Sequence, residues 1–99
     1  MTRNLQAKLR MAAANCICER RQRAGLTQAD VARRLRRYQS VIAAIEKGDR
    51  RLRLVEFIEL AEAIGFEPGH AVTAITRRLH ISFSDKHRKT ERRIRRTSH

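Results

Sequence analysis

Between residues 5 and 79 the apolar side chains recur at helical spacing, and glycine rather than proline makes the breaks. The cleanest run is Leu54, Phe57, Ile58, Ala61 and Ile64, at i, i+3, i+4, i+7 and i+10. That pattern sets Glu56, Glu59 and Glu62 on the other side. Pro68 is the one proline, and the β-branched residues follow the same helical spacing, so there is little from which to build a sheet. The expectation is an all-α fold: one small domain over residues 1–79, then a basic tail over residues 80–99.

The punctuation marks five helices. The first starts between residues 5 and 12 and runs to Ala24, where Gly25 supplies a left-handed stop and Leu26 folds back. Thr27 is a helix N-cap with Asp30 in the capping-box position, and Val31, Ala32 and Leu35 give the second helix its stripe. "RRYQ" interrupts that pattern. A third helix covers roughly Gln39 to Lys47, buries Ile42 and Ile45, and stops at Gly48. The patterned fourth helix ends at Gly65, and Pro68 fits the first turn of a fifth. On that helix Ala71, Val72, Ile75 and Leu79 share a face, which either closes the core or contacts a second copy. Past residue 79 charge thickens, so the tail is expected to be disordered, with Ile81 and Phe83 the one hint of a short strand.

Charge narrows the partner. The 99 residues carry 23 Lys+Arg against 10 Asp+Glu, a net charge of +13, which favours a polyanion. Nucleic acid comes first and an anionic membrane second. The apolar run "MAAANCIC" is too short to cross a bilayer and contains Asn15. "ERRQR" follows it without a small-residue cleavage site, so no signal peptide is read and a cytoplasmic location is expected.

Catalysis and metal binding find little support. Cys16 and Cys18 stand two apart on a helix and point in different directions, so they do not readily share a metal or a disulfide and are read as buried or half-buried thiols in a reducing compartment. His70, His80, His87 and His99 lack metal-ligand spacing. Ser82, Ser84 and Asp85 lie near two of them, but nothing there is held as a nucleophile–base pair. No enzyme, metal or cofactor is expected.

Two short helices joined by a tight turn, the second aimed outward, make helix-turn-helix geometry. "LTQADVARRL", "QSVIAAIEKG" and "RRLRLVEFIELAEAIGFEP" together resemble the XRE/Cro-type repressor family, the compact five-helix lambda-repressor-like DNA-binding domains. The resemblance covers about residues 17–68, with the motif at about 27–48. It implies that Ala32 lies where two helices cross and that Ile42 and Ile45 hold the recognition helix. Glu46-Lys47-Gly48 matches the family's "E-x-G" exit. Gln39 and Ser40 then face bases, with Ala43 and Ala44 beside them, while Gln28, Arg37, Lys47, Arg50 and Arg51 face phosphates. A glutamine bonds adenine bidentately and an alanine touches a thymine methyl.

The sequence departs from the family at several points. Arg36 takes a turn position usually held by Gly, at a cost of about 1 kcal/mol if the backbone stays left-handed; otherwise the turn is altered or the helix extended. Tyr38 replaces the usual Ser, Thr or Pro, and packing at the turn is preferred for it over stacking on a base. Ala43 and Ala44 replace longer polar readers, so direct reading is thin and specificity leans on DNA shape, half-site spacing or minor-groove arginine. Arg33, Arg34, Arg36 and Arg53 also flank the motif and are read as phosphate contacts. For Arg20, Arg21 and Arg23, phosphate contact and a plain solvated face stand even. The expected function is a sequence-specific regulator of double-stranded DNA, a repressor acting as a homodimer. The alternatives are an antitoxin with a toxin partner, an adaptor docking on transcription machinery, and a non-specific nucleic-acid binder.

Overall fold

The computed structural model describes residues 2–81, and among them it contains five α-helices and no strand. These are α1 (Thr2–Arg23), α2 (Gln28–Leu35), α3 (Gln39–Lys47), α4 (Leu54–Ile64) and α5 (Pro68–Arg78). Ile81 is not in a strand; Phe83 and most of the expected tail lie outside the described residues. α1 begins earlier than expected. No Gly or Pro precedes Gly25, and the Leu, Gln, Ala, Lys, Arg and Met found there are strong helix formers that carry the helix back.

The breaks fall where the sequence puts them. Gly25 is left-handed at φ 73°, and the Leu26 N–H donates back to the Arg21 carbonyl at 3.1 Å, closing α1. Thr27 Oγ1 accepts from the Asp30 N–H at 3.0 Å, and Asp30 Oδ2 accepts from the Thr27 N–H at 2.9 Å, completing the capping box of α2. Gly48 is left-handed at φ 77°, and a Cβ there would lie 2.5 Å from Met11 Sδ of α1, so the Met11 side chain would have to shift.

The core is built from Ile17, Val31, Ile42 and Leu60, all fully buried, with Ala32, Ile45, Phe57, Ile64 and Ala71 around them. Leu26, Leu35 and Ile75 pack against this cluster from outside. The Phe57 and Phe66 rings meet edge to face at 5.9 Å. In α4 the expected stripe is rotated: Leu54 and Ile58 are exposed, while Leu60 and Glu56 are buried. Phe57, Leu60, Ala61 and Ile64 form a tighter i, i+3, i+4, i+7 stripe, and that one faces the core. Glu56 is tolerated inside the protein's edge because two arginines meet it. In α5, Ala71 and Ile75 close on the core, but Val72 does not.

Candidate nucleic-acid interface

The turn before α3 keeps the geometry that glycine usually supplies. Arg36 adopts φ 56° and ψ 46°, and the Arg37 N–H reaches the Ala32 carbonyl at 2.9 Å. The helix is not extended and the turn is not altered; the left-handed residue is simply an arginine. Tyr38 caps α3 in extended conformation without a side-chain hydrogen bond. It is 82% exposed, so the expected packing at the turn does not occur.

α3 has two distinct sides. Ile42 and Ile45 are buried on one. Gln39 and Ser40 are exposed at its N-terminus, and Ala43 and Ala44 follow one turn later, half-buried. Lys47 is exposed at its C-terminal end.

Glu46 fixes this helix to the two before it. Arg21 donates Nε to Glu46 Oε2 at 2.6 Å and Nη2 to Oε1 at 3.0 Å, a bidentate pair. Arg21 Nη1 also donates to the Leu26 carbonyl at 2.8 Å, and Gln28 Nε2 donates to Glu46 Oε1 at 3.0 Å. Burial pushes the Glu46 carboxyl up, but the hydrogen bonds from Arg21 and Gln28 and the Arg21 charge outweigh it, leaving the carboxyl below its ordinary value. Those same bonds to Glu46 raise Arg21. Gln28, expected on a phosphate, thus has its side chain turned to Glu46, although it also stands at the N-terminus of α2, where backbone N–H groups attract anions. Burial, first of all, pushes both Cys16 and Cys18 thiols up, which keeps them protonated and weakly reactive.

A second carboxylate gathers cations on the other flank. Glu56 pairs with Arg50 from the α3–α4 loop and with Arg37 Nη1 from the α2–α3 turn at 3.7 Å. Arg37 Nη2 also lies 3.8 Å from Glu59. Arg53 lends Glu56 only its backbone N–H, at 3.3 Å. Other arginines are engaged elsewhere: Arg33 with Asp30, Arg34 with the Ala63 carbonyl at 2.6 Å, and Arg20 over the Phe66 ring at 5.5 Å. Arg36, Lys47 and Arg51 are exposed and form no ion pair with a described residue.

The sequence left Arg21 undecided between phosphate contact and solvated face, and the structure makes it a strut of the motif. No local spacing reveals this, because its partner is 25 residues away. The glutamate of the E-x-G exit was the available signal, since a buried carboxylate requires a cation.

Two short helices with a left-handed turn between them, the second braced from behind and open in front, define a helix-turn-helix DNA-binding domain. A family model described as "Helix-turn-helix domain" matches residues 14–82. A solved structure of an XRE-family like protein from Pseudomonas syringae pv. tomato str. DC3000 is 31% identical and superposes with a TM-score of 0.71, covering 75% of this chain and 90% of that one. No curated protein matches the chain. The chain belongs to the XRE family of helix-turn-helix proteins and is, at that level, a DNA-binding regulator. No helix among the described residues is long and apolar enough to cross a membrane.

Proposed function

We propose that the protein is a cytoplasmic transcriptional repressor that lays α3 in the major groove of double-stranded DNA as a homodimer. The observation that carries this is the asymmetry of α3. Its back is taken up by Ile42, Ile45 and Glu46, while its front exposes Gln39 and Ser40, and nearby cations form no ion pair with a described residue. In this reading Gln39 and Ser40 touch base edges and Ala43 and Ala44 touch thymine methyls. Lys47 and Arg51 hold phosphates directly. Arg37 and Arg50 exchange Glu56 for phosphate, and Gln28 contributes at the α2 N-terminus. Two-fold operators call for two copies, and the exposed Val55 and Ile58 of α4 supply the pairing face.

A second reading, a module that docks on transcription machinery, is favoured by the exposed Tyr38 beside Ala43 and Ala44. Selection of bound fragments from a random DNA library, at about 150 mM salt so that charge alone does not dominate, separates the two. A recovered two-fold motif supports the repressor. Salt-sensitive binding without enrichment removes it.

A further inference from the structure

We propose that the groove between α1, the α3–α4 loop, α4 and α5 is a docking site for an acidic amphipathic helix of another protein, and that its occupant competes with DNA. The groove is open to solvent and has a volume of about 580 Å³. Leu9, Leu52, Phe57 and Ile75 line its floor. Leu54 and Val72 form its walls and stand 72% and 46% exposed. Apolar side chains left this open along one groove offer surface that a partner's apolar face can cover.

The rim identifies the occupant. Arg10, Arg51 and Arg53 line the groove, no carboxylate among the described residues does, and none of the three forms an ion pair with a described residue. A second copy would bring a net charge of +13 and its own three arginines to this place. Residues 82–99 would bring seven Lys and Arg against two acids. Both are repelled by the rim, whereas an acidic segment is attracted, and complementary charge both steers and selects a partner. The walls are helices, and no strand edge among the described residues offers a peptide a sheet to extend. Recognition is therefore by a helix laid in a groove, its anchors spaced i, i+3 or i+4, i+7.

Arg51 belongs to this rim and also to the expected phosphate contacts. A carboxylate bound to it takes a cation from DNA. The competition rests on the regulator reading above; the docking itself does not.

The probe is a labelled synthetic helix with leucine at those anchor positions and glutamate elsewhere, added to the full chain at about 150 mM salt. Two controls replace its glutamates by lysine, or its leucines by serine with the charge kept. The glutamate–leucine helix binds, and each control binds at least about tenfold more weakly, as loss of buried apolar contacts or charge match requires. A chain carrying Leu54→Gln and Val72→Gln loses about tenfold for the probe, with its helical circular dichroism and DNA affinity unchanged. Equal binding of the serine control, or of the double variant, overturns the site. Self-association abolished by the same two substitutions overturns the occupant, because a second copy then fills the groove. Probe binding that leaves DNA affinity unchanged overturns the competition. If the chain binds no DNA at all, the regulator reading fails, and the probe titration still decides the docking site.

Discussion

Glu46 and Glu56 each draw cations from separate elements of the chain, one behind the recognition helix and one beside it. Glu46 has a side chain only 5% exposed, and Arg21, at 12%, meets it with two bonds while capping the Leu26 carbonyl with a third. Glu56 faces Arg37 and Arg50, whose side chains are far more open to water. Water screens such pairs and leaves them weak, whereas a buried bidentate pair has no solvent to fall back on. The first arrangement is part of the frame. The second holds its arginines loosely enough to yield them to a phosphate. Both carboxylates are largely shielded, and the exposure of the arginine itself tells the two kinds of pair apart.

The largest test of that distinction is removal of each carboxylate. Glu46→Ala leaves the Arg21 charge without its carboxylate and the Gln28 amide without its acceptor and should cost about 3 kcal/mol, a large share of a small domain's stability. Glu56→Gln should cost under about 1 kcal/mol. Urea unfolding of the two variants measures both, and equal losses would break the distinction. Acid adds a second readout. Glu46 lies below its ordinary value in the fold, so its contribution is fully present above about 4.5, the unfolded value, and is lost as pH falls through the lower folded value. Asp30 and Glu67, lowered chiefly by backbone N–H groups at the starts of α2 and α5, act in the same direction. Glu46→Gln should flatten the acid limb of the stability curve.

Smaller effects sharpen the contrast at the DNA surface. Gln39→Ala should leave unfolding untouched and erase about 1–3 kcal/mol of discrimination at one base position. Competition binding with single-base operator variants reads this, and an unchanged preference removes Gln39 from the readers. Arg50→Ala should weaken binding to all sequences alike and reduce the salt slope by about one unit. Arg21→Lys should leave that slope unchanged. A change there would mean that the strut reaches DNA after all.

The architecture was largely legible because each helix carries its own stop or start: Gly25, the Thr27–Asp30 box, Gly48, Gly65 and Pro68. The start of α1 was not, since a run of good helix formers has no boundary signal of its own. Which stripe of α4 turns inward was equally hidden: Leu54–Ile58 and Phe57–Leu60–Ala61–Ile64 are both apolar, and only packing on α1 and α2 chooses between them. The site divided in the same way. Gln39 and Ser40 emerge on the open side of α3, as a local pattern allows one to expect. The pairing of Arg21 with Glu46, and of Arg37 and Arg50 with Glu56, depends on contacts between elements, and in a sequence with 23 basic residues charge alone cannot assign partners.

Arg36 lies between the two regimes and gives the smallest effect. Its left-handed backbone is unfavourable for a residue with a Cβ, and its side chain forms no ion pair with a described residue that would offset this. Arg36→Gly should therefore stabilise the fold by about 0.5–1 kcal/mol, the relief of strain less the added freedom of the unfolded glycine. Thermal unfolding measures that gain. DNA binding measures what the arginine does there. If affinity falls and the salt slope drops by about one unit, the turn tolerates strain in order to place a cation on a phosphate, and Arg36 joins Lys47 and Arg51. If stability rises with affinity and slope unchanged, Arg36 contributes neither to the frame nor to the DNA contact, and Arg37 is left as the proposed phosphate contact on the N-terminal side of α3.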